Sequence, residues 1–285
     1  MSNGSGQAGP RLVQVAQGVA FGGGAPPAFI AGPCVIESAE HCLHMAREVA
    51  AAARKAGVPV IFKASFDKAN RTSLSSYRGP GLGEGMAILQ QVKDETGLPV
   101  LSDIHEPDQA ELAARVLDVI QIPALLCRQT DLLQEAGRTG LPINLKKGQF
   151  TAPWDMLPAV EKITATGNEN VILTERGTSF GYNNLVVDMR SLAVMRETGF
   201  PVVFDATHAV QLPGGHGASS GGQPQFIEVL SRAAAGAGVD GLFTETHDQP
   251  EKALSDGANA LPLPRLAPLM EQVTAISALI RSARS

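Results

Sequence analysis

Eight short apolar runs are the feature that most constrains this chain: FIAGPC (29–34), VIFKASF (60–66), VLSDIH (100–105), VIQIPA (119–124), INLKKG (143–148), VILTERG (171–177), VVFDATH (202–208) and GLFTETH (241–247). Seven carry Cys, Lys, Asp, His, Arg or Glu at or near their ends, and the fourth runs on into Cys127 and Arg128. Most are separated by stretches with helical periodicity. Strand–helix alternation repeated about eight times predicts an α/β fold of the (β/α)8 TIM-barrel type, with its active site at the C-terminal ends of the strands. The reactive residues then gather on one rim, as in an enzyme.

The length of 285 residues suits an undivided barrel. Residues 11–285 are expected to form one domain, preceded by a disordered tail, MSNGSGQAGP (1–10). Before the first run, LVQVAQGVAFGGG (12–24) places two β-like runs around Gln17-Gly18 and predicts a short N-terminal β-hairpin over the bottom of the barrel. Helices are expected over 38–57, with a Ser cap and a Gly stop, and over 81–97, 106–117, 130–140, 153–167, 183–199, 224–238 and 265–283. Two connections are long and polar, 66–81 and 211–225; the second, rich in glycine, reads as a mobile flap.

Net charge is −5, so no global basic field recruits a polyanion, and an aromatic content of 5% gives no stacking platform for nucleic acid. Yet Lys63, Lys68, Arg71, Arg78, Arg128, Lys146, Lys147 and Arg176 cluster in the rim motifs. A locally basic cleft in an acidic protein suits a small anionic ligand. Three cysteines, Cys34, Cys42 and Cys127, do not make a disulfide framework and fit a reducing compartment. No leader-like segment or membrane-length apolar run is visible, and a cytoplasmic location is expected.

Cys34 ends strand one, His208 ends strand seven and Glu245 lies near the end of strand eight, with Asp256 in the loop beyond it; these three strands are neighbours once the barrel closes. A thiolate, an imidazole and two carboxylates can converge there on one divalent cation (Zn, Fe, Mn or Co). Taken singly, a Cys after Gly-Pro is more often packed than ligating, and His208 is as readily a general base or a hydrogen-bonded core histidine. Alternation puts Lys63, Lys146 and Arg176 on the inner faces of strands two, five and six. Buried cations need anionic partners, so three of them imply a ligand carrying phosphate, carboxylate or both. Asp103 and His105 share a face of strand three and can orient these cations or touch substrate hydroxyls. The loop KANRTS (68–73) suits a second phosphate or a polyol. No Walker loop or Gly-x-Gly-x-x-Gly opens a helix, and GNEN (167–170) precedes a strand, at the wrong end of the barrel.

Together these motifs resemble the 3-deoxy-D-manno-octulosonate 8-phosphate synthase family. The resemblance runs from about Phe29 to Ile280 and is carried by AGPCVIES, FKASFDKANRTS, SYRGPG, DIHEP, QIPALLCRQTD, NLKKGQF, LTERGTSFGYNNLVVDMR, FDATHAVQLPGG and ETHDQPEKALSDG. It implies a (β/α)8 barrel with an N-terminal hairpin, assembled as a homotetramer. The implied reaction condenses phosphoenolpyruvate with D-arabinose 5-phosphate and releases phosphate, a step of Kdo and lipopolysaccharide biosynthesis. Cys34 matches the metal-dependent branch, whose metal-independent counterpart carries Asn there; His208, Glu245 and Asp256 match the remaining ligand positions. Lys63, Lys68, Lys146 and Arg176 fall on phosphoenolpyruvate-binding positions, with Arg128 and Gln149 beside them. Asn70, Arg71 and Thr72 match the arabinose 5-phosphate loop, where Thr72 stands in place of the more frequent Ser. The implied catalytic group is Lys63, Lys68, Lys146, His208 and Asp256, with Asp103 also contacting substrate. The nearest alternative is a 3-deoxy-D-arabino-heptulosonate 7-phosphate synthase using erythrose 4-phosphate, whose relatives typically carry Pro-Arg-Thr-Ser in place of the KANRTS pattern. A catalytically silent barrel or a plain metal-dependent sugar-phosphate hydrolase leaves the cations of strands two, five and six unexplained.

Overall fold

A computed structural model describes residues 9–71, 73–214 and 221–283. Among these, the eight apolar runs form parallel strands β1 (Ala28–Gly32), β2 (Val60–Lys63), β3 (Val100–Asp103), β4 (Val119–Ile122), β5 (Ile143–Lys146), β6 (Val171–Glu175), β7 (Val202–Asp205) and β8 (Gly241–His247). Neighbours pair in chain order, and β8 pairs with both β7 and β1, which closes the barrel. Helices fill the crossovers: α1 (Ala39–Ala56), α2 (Leu82–Thr96), α3 (Gln109–Ala114), α4 (Thr130–Arg138), α5 (Met156–Thr164), α6 (Arg190–Arg196), α7 (Ile227–Ala237) and α8 (Leu266–Ser282).

The two-residue period of each strand divides the core in two. Phe29, Phe62, Val100, Ile120, Leu145, Leu173, Phe204 and Leu242 point outward into the helical layer. Ile30, Ile61, Leu101, Val119, Ile172, Val203 and Phe243 fill the interior together with Val13, Val19 and Phe21. Those last three belong to the predicted hairpin, whose strands Val13–Ala16 and Val19–Phe21 pair antiparallel and close the bottom. One alternation further along, the inner positions turn polar: Lys63, Asp103, Gln121, Asn144, Lys146, Thr174, Asp205 and Glu245 are all buried. The apolar lower layers thus leave the site to the upper rim. Gly32 ends β1 where a Cβ would stand 2.0 Å from the Lys63 carbonyl oxygen, so only glycine lets the two strands approach here.

Most predicted helices form, several shortened at their ends. Ser38 caps α1 by accepting from the His41 N–H at 3.1 Å, and Gly57 stops it in the left-handed region. The helix expected over 183–199 is corrected: Leu185–Val186 instead pairs with Thr178–Ser179, Asn183 has φ 54°, and α6 starts only at Arg190. In the segment 211–225, Gln211–Leu212 pairs with Gly221–Gly222; the tip read as a flap, 215–220, lies outside the described residues, as does most of the 1–10 tail. No helix among the described residues is long and apolar enough to cross a membrane.

Candidate active site

Cys34 lies two residues beyond β1, Glu245 within β8, and Asp256 on the loop after it. Their ligand-type atoms lie within 4.8 Å of one another. His208, in the turn after β7, brings its Nε2 to 3.8 Å from Glu245 Oε1 and 3.8 Å from Asp256 Oδ2. The tautomer of His208 is set from behind: Nδ1 lies 2.7 Å from Asp205 Oδ2, and Asp205 is fully buried. With the proton held on Nδ1 by that carboxylate, Nε2 presents its lone pair to the centre.

These residues fit a divalent cation. Glu245 Oε2 is buried and has no hydrogen-bond partner among the described residues, while Oε1 accepts from Lys63 Nζ at 2.7 Å. Burial, then the Glu245 charge, pushes the Cys34 thiol far above its usual range, so it becomes a thiolate only when a cation faces it. Burial opposes ionisation of Glu245, but Lys63, His208 and Lys68 outweigh it and hold the carboxyl below its usual range. Sulfur, imidazole nitrogen and carboxylate oxygen together suit the later first-row divalent metals.

A cavity of about 1340 Å³ opens beside this cluster, lined by Lys63, Lys68, Asn70, Arg71, Asp103, Gln149, Lys146, Arg176, His208, Glu245 and Asp256. Lys63 is committed within it: its ammonium bonds Glu245 and the Cys34 carbonyl, at 2.8 Å. Removing it strands a buried carboxylate, so Lys63→Ala is expected to cost roughly 3–5 kcal/mol of stability in denaturant unfolding of the metal-free chain. Lys146 pairs with Asp205 and stands 3.2 Å from the Phe243 ring centroid. Burial lowers its ammonium to about 8, against the pull of Asp205. Arg176 follows β6 and donates to Gln211 Oε1 at 3.1 Å, while its Nη1 is buried without a partner among the described residues. Asp103 Oδ1 and Gln149 Oε1 are likewise unpartnered. Burial would raise the Asp103 carboxyl, but the bond to His105 at 3.1 Å and the Lys68 charge hold it well below the usual range. Buried polar atoms left without partners on residues that line one cavity suit an anionic, hydroxylated ligand.

Two expected residues stand apart. Arg128 is exposed and does not line the cavity; it follows a short 3-10 turn, Ala124–Leu126, that carries it past the rim. Thr72 lies outside the described residues. Other contributors carried no isolated signal in the sequence. Asp205, two residues after inward-facing Val203, joins Lys146 to His208. Ser255 Oγ lies 3.0 Å from Cys34 Sγ and accepts from Arg71 Nη1 at 2.6 Å. Glu175 accepts from the N–H groups of Arg176 and Gly177 and from Ser191 Oγ, with Lys147 3.5 Å away, and so fixes the backbone that aims Arg176.

Comparison with known proteins places this architecture. A Syntrophotalea carbinolica protein named 2-dehydro-3-deoxyphosphooctonate aldolase is 62% identical over 272 residues, covering 95% of this chain and 98% of its own. Proteins of the same name from Geobacter metallireducens and Citrifermentans bemidjiense are 60% and 59% identical, each over 92% of this chain and 97% and 96% of their own. The pattern of the DAHP synthetase I family matches residues 11–279, and the chain belongs to that family.

Proposed function

We propose that the chain condenses phosphoenolpyruvate with D-arabinose 5-phosphate and water to give 3-deoxy-D-manno-octulosonate 8-phosphate and phosphate. The observation that carries this reading is one cavity in which Lys63, Lys68, Lys146 and Arg176 stand beside a mixed S, N and O donor set. A phosphate and a carboxylate on one small molecule need that density of cations. The acceptor is inferred from the relatives, which are named for the octulosonate enzyme.

In this reading Lys68, Lys146 and Arg176, with Gln149, hold phosphoenolpyruvate against the repulsion of its own charges. Lys63 keeps Glu245 in place and adds positive potential. Asn70, Arg71 and Thr72 receive the sugar phosphate, and Asp103 with His105 accepts from sugar hydroxyls. The chain is read as a homotetramer in which Arg71 reaches the sugar phosphate of a neighbouring subunit; Arg128, exposed and outside the cavity lining, has no assigned contact in this reading. A divalent cation held by Cys34, His208, Glu245 and Asp256 supplies Lewis-acid polarisation of a reacting oxygen. C3 of phosphoenolpyruvate bonds to the aldehyde carbon, whose oxygen takes up a proton, while water adds at C2. The C2–O bond to phosphorus then breaks, and phosphate leaves with the bridging oxygen. The protein works in the cytoplasm, where its phosphorylated substrates are found.

Phosphoenolpyruvate labelled with heavy oxygen at the bridging position tests the chemistry. The label is expected in the released phosphate; label in the sugar product would contradict C–O cleavage. Cys34→Asn is expected to keep phosphoenolpyruvate binding, because the cations that hold it lie elsewhere in the cavity, and to keep part of the activity only if the metal mainly organises the site; calorimetry that detects no phosphoenolpyruvate binding would refute this. A second reading, the heptulosonate reaction with erythrose 4-phosphate, is favoured only by the family description.

A further inference from the structure

A second group of metal-type donors among the described residues, Glu37, His41 and His247, lies outside the cavity lining, its donor atoms within 4.8 Å of one another. Its hydrogen bonds argue for a clamp rather than an ion site. His247 Nδ1 accepts from the Gln249 N–H at 3.0 Å, which leaves the ring proton on Nε2, 3.3 Å from Glu37 Oε1. A ring in that state offers the cluster no lone pair from Nε2. The same Glu37 oxygen accepts from the Leu254 N–H at 2.8 Å, across 217 residues of chain.

Leu254 begins a three-residue stretch on which two parts of the site depend. Its carbonyl accepts from Arg71 Nη2 at 3.3 Å, and Ser255 Oγ meets Arg71 and the Cys34 thiol. Asp256 follows at φ 52°, a left-handed conformation that a non-glycine residue keeps only where its surroundings fix it. Glu37 itself lies three residues after Cys34, on the connection leading from β1 to α1. One carboxylate therefore ties the segment bearing Cys34 to the segment bearing Asp256.

We propose that Glu37 is a positioning residue: by holding the Leu254 N–H it fixes both the Asp256 carboxylate and the seat of Arg71. The inference rests on reading Asp256 as a metal ligand and Arg71 as a sugar-phosphate contact. It predicts that Glu37 acts on metal affinity and on arabinose 5-phosphate KM together, although it touches neither ligand.

The test strips the full chain of metal with a chelator and titrates it with Cd(II), following the cadmium–thiolate absorbance of Cys34, with Cys34→Ser as the blank. Glu37→Ala is expected to weaken Cd(II) binding by about tenfold or more, the range seen when groups that orient metal ligands are removed. It should also raise KM for arabinose 5-phosphate more than for phosphoenolpyruvate. Glu37→Gln keeps an acceptor oxygen for the Leu254 N–H and is expected to stay close to the wild-type chain. Glu37→Met keeps the length without the acceptor, and should match the Ala variant if that one fails to fold. A folded Ala or Met variant with wild-type Cd(II) affinity and KM would overturn the proposal, as would a Gln variant as impaired as Ala. Failure of both Ala and Met to fold would assign Glu37 to the fold and overturn it too. If the wild-type chain shows no thiolate band, the metal reading itself fails, and the inference is then decided by the arabinose 5-phosphate KM.

Discussion

Lys146→Ala is expected to lower kcat/KM for phosphoenolpyruvate by about 10²–10³, the loss typical when one preorganised charge-stabilising group is removed. Lys146 is buried, paired with Asp205 and placed against the Phe243 ring, so it is held before substrate arrives. Burial brings its ammonium to about 8, close enough to neutrality for pH to reveal it. The group is charged below that value and neutral above it, and only the charged form attracts an anion. In the wild-type chain kcat/KM should therefore fall as pH rises through about 8, reporting the free enzyme. In Lys146→Ala that alkaline limb should vanish. An Ala variant that retains the limb would give it to another group.

Asp205→Asn is expected to weaken divalent-metal binding about 10–100-fold and to lower kcat with it. Asp205 accepts from His208 Nδ1, from the N–H groups of Thr207 and His208, and from Lys146. Burial opposes ionisation of Asp205, but the Lys146 charge and the hydrogen bonds from His208 and Lys146 outweigh it and keep its carboxyl well below the usual range. An amide can donate to Nδ1, which would move the histidine proton to Nε2 and aim it at the metal set. It also leaves the Lys146 ammonium without its counter-charge. Metal titration of the stripped variant, followed by steady-state kinetics at saturating metal, separates the two effects: added metal restores only the first.

The barrel was legible because its strands carry two signals at once, apolar alternation below and a reactive residue above. The hairpin was legible because Gln17-Gly18 sits between two β-like runs. Residues 183–199 misled because Leu185, Val186 and Leu192 fit a helical period, while pairing of Leu185–Val186 with Thr178–Ser179 competes locally and wins. Cys34, His208, Glu245 and Asp256 could be grouped because three of them follow adjacent strands. Asp205 shared that placement on β7, but nothing in FDATH says that it serves both Lys146 and His208. Ser255 and Glu37 were hidden for a simpler reason: their partners, Cys34 and Leu254, lie more than two hundred residues away, and neither pairing has a period. Arg128 shows the converse, a cation in a resembling motif that follows a 3-10 turn and does not line the cavity.

The proposed reaction is a metal-dependent condensation specific for a five-carbon acceptor. It is tested most directly by phosphate release from phosphoenolpyruvate with arabinose 5-phosphate or erythrose 4-phosphate, after EDTA and after restoring Mn(II). Release with arabinose 5-phosphate alone, abolished by EDTA and recovered with Mn(II), is the predicted result. Release indifferent to EDTA would reduce Cys34 to a packed thiol, and release driven by erythrose 4-phosphate would contradict the assigned acceptor.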